Sequence, residues 1–435
     1  MLKVAITTLG CKVNQCESAG IAEAMTARGI ALVPFGAEAD CYIVNTCTVT
    51  GKTDDQSRRF IRQAVKRNPA AAVLATGCYA QRAPDEIARI PCVRIVAGNG
   101  EKSRLPELIE EVAGRRGAQV RVGEIRGERS FAALGTAVVP GHTRAFLKIQ
   151  DGCDASCSYC IVPRVRGASR SLPPEEVELG IATLAGRGFR EAVLAGIHLG
   201  AYGRDLADAT DLTALVRRIV KGRPIERLRL SSIEPREITG ELLACIGPPG
   251  IVCRHLHITL QSGDDGILAA MKRDYDAAFF RELIRNVTAT IPGIAVGIDV
   301  MAGFPGESEE AFANTLRLVE ELPLAYLHAF PFSRRPGTPA AAMPGQVPEA
   351  DKKRRVARLR AIGDEKRRTF AESFIGAPLA VLIEDRKDGS TGHFTGVSDN
   401  YITVACQGAA EANRIVRALP GSFRKGRLIA EVMDE

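Results

Sequence analysis

The stretch that organises this chain is Cys153-Asp154-Ala155-Ser156-Cys157-Ser158-Tyr159-Cys160, three cysteines spaced C-x3-C-x2-C just after a strand-like segment at 145–150. Three thiolates are one too few for the four-cysteine ligation of an ordinary iron–sulfur cluster or of a closed structural zinc site. A site with three protein ligands leaves one metal position open for chemistry. The alternatives are a zinc site that takes its fourth ligand from elsewhere and three unrelated buried thiols. Tyr159 precedes the last cysteine, where its ring can pack on a flat ligand beside the metal.

The composition indicates a globular chain of several domains. Its 435 residues, 46% of them apolar, are enough for roughly two to four domains with their own cores. The chain opens without a cleavable signal pattern and has no apolar run of about 18 residues, so we expect no membrane partner and a cytoplasmic location. In that compartment twelve cysteines argue against a disulfide framework and for metal or redox use of some of them.

The positive charge of the chain is concentrated in one segment. The formal net charge is +7, and residues 352–368 alone hold nine basic residues against two acidic ones. Such localisation favours contact with a polyanion, the alternative being a solvated helix face. Val356, Leu359 and Ile362 form an apolar stripe, which predicts an amphipathic linker helix over 347–370.

The first third of the chain, residues 1–140, alternates short apolar strands with helices. Strands are predicted at 4–9, 42–45, 72–75 and 93–97, and helices at 14–28, 53–68 and 84–90. This alternation predicts a doubly wound parallel sheet, in which ligands gather beyond the carboxyl ends of the strands.

Three cysteines stand at those strand ends. Cys11, Cys47 and Cys78 each follow a predicted strand, so we expect them to converge on one edge of the sheet as a second three-cysteine metal site. Gly10 and Gly77 precede two of them and suit a backbone that passes close to a cluster. Cys16 lies on the first helix, and its role is left open. The other cysteines of this region are interpreted as small buried hydrophobes.

The middle region, residues 141–370, repeats a strand-and-helix unit six times. The predicted strands are 145–150, 191–199, 227–233, 255–260, 295–302 and 326–332. Six parallel units predict an open, partial barrel with its functional residues at the carboxyl ends of the strands. Candidate cofactor contacts there are Tyr159, Gly196, Ser232, Glu234 and Gln261. Ser232 and Glu234 have an equally good alternative as caps of the following helix.

The last part, residues 371–435, changes to a strand period. Predicted strands at 379–384, 393–397, 401–405, 414–419 and 427–432, separated by glycine-rich turns, favour a small barrel of the OB type. Such barrels commonly bind nucleic acid. This region holds seven basic and nine acidic residues, so we place much of the phosphate attraction on the linker helix. The candidate RNA ligands are Lys352, Lys353, Arg354, Arg355, Arg424 and Lys425.

The cysteine run after the first strand of a six-unit barrel resembles the radical S-adenosylmethionine (SAM) superfamily. Together with Cys11, Cys47 and Cys78 it makes the whole chain resemble the methylthiotransferases of that superfamily. The branch that modifies N6-threonylcarbamoyladenosine in tRNA is similar at four motifs, although Cys16 stands where that branch has an aromatic residue. The four similar motifs are Leu9-Gly10-Cys11-Lys12-Val13-Asn14-Gln15, Asn45-Thr46-Cys47-Thr48-Val49-Thr50, Thr76-Gly77-Cys78-Tyr79-Ala80-Gln81 and Ser232-Ile233-Glu234-Pro235.

The resemblance implies a mechanism and its cofactors. It implies two 4Fe-4S clusters, with Cys153, Cys157 and Cys160 holding the one that generates a radical from SAM. Cys11, Cys47 and Cys78 would hold the second, which delivers sulfur. It also implies two molecules of SAM per turnover, a terminal TRAM domain, and insertion of SCH3 at C2 of the modified adenosine at tRNA position 37.

The partners and the alternatives follow from the same resemblance. We expect a tRNA substrate and an external electron donor of the flavodoxin or ferredoxin type, while the sulfur donor stays open. Within the family the alternatives are isopentenyladenosine in tRNA and an aspartate of a ribosomal protein. An alternative of another class is a non-catalytic iron–sulfur protein that binds RNA.

Overall fold

The computed structural model describes residues 2–112, 117–132, 134–136, 138, 141–247 and 250–433, so residue 140, the predicted end of the first domain, lies outside them. The first region is a parallel sheet with strand order β2-β1-β3-β4-β5-β6. All six residues of β3 are buried, because helices cover both faces of the central strands. Its elements are β1 (Lys3–Thr8), α1 (Lys12–Ala27), β2 (Ala31–Val33), β3 (Cys41–Thr46), α2 (Gly51–Arg67), β4 (Ala72–Gly77), α3 (Cys78–Arg82), α4 (Pro84–Ala88), β5 (Val93–Ala97), α5 (Leu105–Val112) and β6 (Gln119–Arg121).

The predicted strands of this region are all present, but its two edge strands, β2 and β6, were not predicted from the sequence. β2 and β6 have three residues each, too few for an alternation to be recognised. The five-residue helix α3 begins at Cys78 itself, directly after β4.

The second region contains two three-stranded parallel sheets, β7-β10-β11 and β12-β13-β14. A bridge between Ile233 and Ile258 connects them, and among the described residues β7 and β14 do not pair, so the curved layer stays open on one side. Its elements are β7 (Ala145–Lys148), β8 (Gln150–Asp151), α6 (Val162–Arg166), β9 (Arg170–Ser171), α7 (Pro174–Gly186), β10 (Glu191–Ala195), α8 (Leu212–Gly222), β11 (Arg227–Leu230), α9 (Gly240–Leu243), β12 (His255–Gln261), α10 (Asp265–Ala270), α11 (Ala277–Thr290), β13 (Ala295–Ala302), α12 (Glu309–Glu321), β14 (Tyr326–Pro331), α13 (Pro339–Ala342) and α14 (Glu349–Glu372).

The six strands β7 and β10–β14 coincide with the six predicted strand positions, and the parallel α/β architecture is confirmed. Their apolar core faces the surrounding helices, with Leu194, Leu256, Ile298 and Leu327 among its buried members. The alternate residues of the same strands face the enclosed side, which is where polar side chains accumulate.

The third region is a closed barrel with strand order β15-β16-β17-β19-β18, as the strand pattern predicted. Its strands are β15 (Leu379–Lys387), β16 (Phe394–Ser398), β17 (Thr403–Gln407), β18 (Ile415–Arg424) and β19 (Arg427–Val432). It docks against the amino ends of β11 and β12: Arg229 donates to the carbonyl of Asp399 at 3.0 Å, and Arg254 donates to the Asp399 carboxylate at 2.7 Å. Across the described residues, every helix is too short or too polar to cross a bilayer.

Candidate active site

The loop that carries Cys153, Cys157 and Cys160 runs between β8 and α6 and is held by backbone contacts. Gly152 has a φ of +70°, and a Cβ there would lie 1.8 Å from the Ala168 carbonyl oxygen, so only glycine fits. Cys153 N–H donates to the Gly167 carbonyl at 3.0 Å. Ser158 is anchored twice, through its N–H to Met271 O at 3.0 Å and through its hydroxyl to Ala270 O at 2.7 Å. These hydrogen bonds therefore anchor the loop at Cys153 and at Ser158.

Two cationic side chains lie against the thiols of this loop. Arg273 Nη1 lies 3.3 Å from Cys157 Sγ, and His198 Nδ1 lies 3.4 Å from Cys153 Sγ. Burial opposes charge on His198, but its contacts with Cys153 and Glu237 outweigh burial and raise its pKa to about 9. Cations beside thiols favour the thiolate form, which is the form that binds metal. Neither residue is among the predicted site residues: Arg273 follows α10 rather than a strand, and a single histidine after β10 is not diagnostic by itself.

The three thiols of the loop lie within electrostatic reach of one another. Burial, with smaller contributions from the nearby thiols of Cys157 and Cys153, raises the pKa of Cys160 to about 12. A thiol with a raised pKa is costly to ionise, so its thiolate form requires a positively charged partner. A metal cluster bound by all three supplies that partner.

Cys11, Cys47 and Cys78 converge at the carboxyl edge of the first sheet. Cys11 caps the start of α1, Cys47 directly follows β3, and Cys78 is the first residue of α3. Burial raises the pKa of Cys47 to about 11, with Cys78 and Cys11 contributing in the same direction. Gly10 permits this approach, because a Cβ there would lie 2.8 Å from Cys47 Sγ. Cys16 instead lines a separate cavity with Phe131 and Leu134.

The segment that follows the second-region cysteine trio packs against the first-region trio. Cys78 packs against Ile161, which directly follows Cys160 in the chain, and against Val165 on α6. Asn99 bridges the same contact, donating to Val165 O at 2.6 Å and lying 3.7 Å from Cys78 Sγ. The segment after one trio is thus the wall of the other.

The segment that follows β14 connects the second region to the first. Arg335 donates to the Asp54 carboxylate at 2.7 Å, and Gly51 N–H donates to the Ser333 hydroxyl at 3.0 Å. Arg335 is 6% exposed, so this contact between the two regions is buried.

The five predicted cofactor contacts lie at the strand ends but have different surroundings. Glu234 forms an ion pair with Arg273. Gln261 has a φ of +65°, and its buried side-chain oxygen has no hydrogen-bond partner among the described residues. A Cβ at Gly196 would lie 3.0 Å from the Gln150 side-chain oxygen. Ser232 is exposed, and Tyr159 packs against a small apolar cluster that includes Met271 and Phe304.

The six predicted RNA ligands divide into two groups. Lys352 and Arg355 are 3% and 4% exposed, because the inner face of α14 packs on the second region. Lys352 pairs with Glu349, and Arg355 pairs with Glu307. Lys353, Arg424 and Lys425 are exposed. Arg354 is exposed and pairs with Glu309. Charge counting identified the helix, but it could not separate the buried side of the helix from the free one.

Comparison with known proteins agrees with this geometry. Residues 3–98 match the Uncharacterized protein family UPF0004, and residues 147–319 match the Radical SAM superfamily. The chain is 37% identical over 442 residues to the threonylcarbamoyladenosine tRNA methylthiotransferase MtaB of Bacillus subtilis (strain 168), covering 100% of this chain and 98% of the relative. It is 35% identical to the tRNA-2-methylthio-N(6)-dimethylallyladenosine synthase of Syntrophobacter fumaroxidans, over 98% of this chain and 95% of the relative.

The chain belongs to the methylthiotransferase family of radical SAM enzymes. Among solved structures, the radical SAM methyltransferase TsrM from Kitasatospora setae shares the fold, with a TM-score of 0.57 and 18% identity over 78% of this chain and 77% of that one. Methylthiotransferases use SAM and two 4Fe-4S clusters, and this chain contains two cysteine trios.

Proposed function

We propose that this methylthiotransferase inserts SCH3 at C2 of N6-threonylcarbamoyladenosine at position 37 of tRNA. The observation that carries the proposal is the packing of Cys78 against the segment that follows Cys160, in a chain that matches MtaB relatives over its whole length. We infer that one base lies between the two clusters, so that hydrogen removal and sulfur delivery act on the same carbon.

The residues of the chain have separate tasks in this proposal. Cys153, Cys157 and Cys160 would hold the cluster that, when bound, supplies an electron to cleave SAM. Cys11, Cys47 and Cys78 would hold the cluster that supplies the sulfur. Arg273 would stabilise the first cluster through its contact with Cys157, and Arg335 would shield the space between the trios.

The strand-end residues are the proposed SAM contacts. Gln261 is the strongest of them, since its buried oxygen has no partner within the described chain and points to a ligand donor. Gly196 gives the backbone access that a cofactor needs, and Tyr159, Ser232 and Glu234 complete the set. Two SAM molecules per turnover and a flavodoxin or ferredoxin type reductant belong to the same proposal.

Each of three domains would have a separate role in the reaction on tRNA. We place a doubly wound cluster domain at 1–140, the radical SAM domain with its basic linker helix at 141–370, and a TRAM domain at 371–435. Lys353, Arg354, Arg424 and Lys425 would contact phosphates, because they are the predicted ligands that the structure leaves on the surface. Since tRNA is the substrate, the reaction would take place in the cytoplasm.

Turnover on defined RNA tests the proposal. The protein is reconstituted without oxygen and incubated with SAM, reductant and anticodon stem-loops that differ only in the substituent at N6 of the target adenosine. Mass spectrometry of the nucleosides should show a methylthio product from the threonylcarbamoyl substrate alone. Product from the dimethylallyl substrate instead would assign the protein to the activity named for its Syntrophobacter relative. SAM cleavage without any product from RNA would favour another acceptor.

A further inference from the structure

A cluster of polar side chains on the enclosed face of the second sheet lies outside the cysteine sites. His257 on β12, Asp299 on β13 and His328 on β14 come from three neighbouring strands, and Asp299 is the direct register partner of His328. The register therefore brings two imidazoles and one carboxylate to a single point. No cysteine of either trio takes part in this group.

The ligand atoms of this group are close enough to share one ion. Nε2 of His257 lies 3.1 Å from one Asp299 oxygen, and Nδ1 of His328 lies 3.5 Å from the other. The three ligand atoms all lie within 4.8 Å of one another. Two imidazoles and one carboxylate are the donor set of facial-triad sites for divalent transition metals.

A supporting hydrogen bond orients one of the ligands. Tyr326 OH lies 3.1 Å from Nδ1 of His257, which turns the opposite nitrogen, Nε2, towards Asp299. The same hydroxyl lies 2.8 Å from Nε2 of His255 and is fixed from that side. Gly297, the register partner of Tyr326, makes room for the ring, since a Cβ there would lie 2.1 Å from it. Metal-binding histidines commonly have such a partner on their second nitrogen.

The group is open on one side only. His257 is 7% exposed, whereas the His328 side chain is 59% exposed and borders a cavity of about 590 Å³ that Arg144, Arg367 and Tyr401 also line. An ion held by three protein ligands at this rim would keep its remaining positions towards the cavity. This is the arrangement of a site that accepts an oxygen ligand, not of a closed structural site.

We propose that His257, Asp299 and His328 bind one divalent transition-metal ion at the rim of this cavity, separate from both clusters. Imidazole and carboxylate ligands accept Mn²⁺, Fe²⁺ and Co²⁺, whereas the thiolates of the cysteine trios select softer metals. Mn²⁺ therefore reports on this site without competition from the trios.

The test is a Mn²⁺ titration of the RNA-free holoenzyme with both clusters oxidised and diamagnetic. Electron paramagnetic resonance of free Mn²⁺ counts the bound ions, and it needs no turnover. The wild type should bind one ion per chain, and His328→Gln should weaken that binding at least about tenfold. His142→Gln, which changes an exposed histidine outside the group, should leave it unchanged.

Two results would overturn the site. Either the wild type binds no stoichiometric Mn²⁺, or His328→Gln binds it as tightly as the wild type does. Both would mean that Asp299 serves only as an ion-pair partner for two histidines. Because His328 is exposed, its substitution does not endanger the fold, and an unchanged iron content confirms that each variant is intact. Asp299→Asn provides a second, independent loss of the same ion.

Discussion

Arg166 and Glu17 form a bidentate ion pair between the first region and the second, with Nη1 to Oε1 at 3.0 Å and Nη2 to Oε2 at 3.1 Å. Arg166 is 1% exposed and Glu17 is 2% exposed. Lys102, Lys148 and Asp151 complete the buried network. Arg166 also lies within electrostatic reach of Cys11 and Cys78, so the joint between the regions is also a wall of the cluster site.

Removing the charge of Glu17 should strongly destabilise the joint, that is, the buried ion-pair network between the first and second regions. Glu17→Gln leaves Lys102, Lys148 and Arg166 buried with one carboxylate fewer, and breaking a buried pair in this way costs about 3 kcal/mol or more. Chemical denaturation followed by circular dichroism measures the decrease in stability. Glu23→Gln is the matched control, since it breaks an exposed pair with Arg187 between the same two regions. Equal decreases in the two variants would contradict a special role for the buried pair.

The same network predicts a loss of stability in acid. Burial raises the pKa of Glu17, but Arg166, Lys102 and Lys148 outweigh burial and hold it well below its usual range. A depressed folded pKa stabilises the protein above the unfolded value of about 4.3, and that contribution disappears as pH falls below it. Hydrogen exchange should show the joint opening first below about pH 4, with Glu17→Gln already open at neutral pH. A joint that resists acid as well as the rest of the chain would refute this.

Substitutions in the two cysteine trios should separate the two halves of the reaction. Cys157→Ala should abolish 5′-deoxyadenosine formation, whereas Cys47→Ala should keep it and form no methylthiolated nucleoside. Liquid chromatography with mass spectrometry measures both products in one assay. Cys245→Ala, a half-buried cysteine outside both trios, should retain both. Full product from Cys47→Ala would remove the sulfur-delivery role from the first-region trio.

Gly10→Ala should remove one cluster without unfolding the protein. Its added Cβ would lie 2.8 Å from Cys47 Sγ at a φ of +97°, which displaces a ligand. We expect the iron content after reconstitution to fall by about half, the share of one of two 4Fe-4S clusters. Gly29→Ala is the control, since it carries the same kind of backbone strain, φ +75°, with no atom within 4 Å. A full iron content in Gly10→Ala would show that the close approach is not required.

The exposed basic residues should set the salt dependence of RNA binding. Neutralising Lys353, or Arg424 together with Lys425, should flatten the slope of log affinity against log salt by about 0.7 to 0.9 for each phosphate that the variant no longer neutralises. Filter binding of tRNA at several salt concentrations measures the slope. Arg281→Gln, on the exposed face of α11, should leave it unchanged. An unchanged slope in the test variants would make these residues ordinary solvated charges.

The parts of this protein that follow chain order can be predicted from its amino-acid sequence alone. Parallel strands place their carboxyl ends at one edge, so Cys11, Cys47 and Cys78 were bound to converge once the alternation of strands and helices was recognised. The spacing of Cys153, Cys157 and Cys160 is local and needs no fold to be identified. The closed terminal barrel follows in the same way from five short strands with turns between them.

Which charged side chains are exposed, and which distant residues are in contact, depends on how the chain packs in three dimensions. Lys352 and Lys353 are neighbours with the same charge, yet Lys352 is buried and Lys353 is exposed. The reason is that α14 has one face packed on the second region and one face towards solvent. Arg166 meets Glu17 across 149 residues, and His257 meets His328 across three strands. Such pairs depend on register and on the docking of whole regions, and no local pattern encodes those.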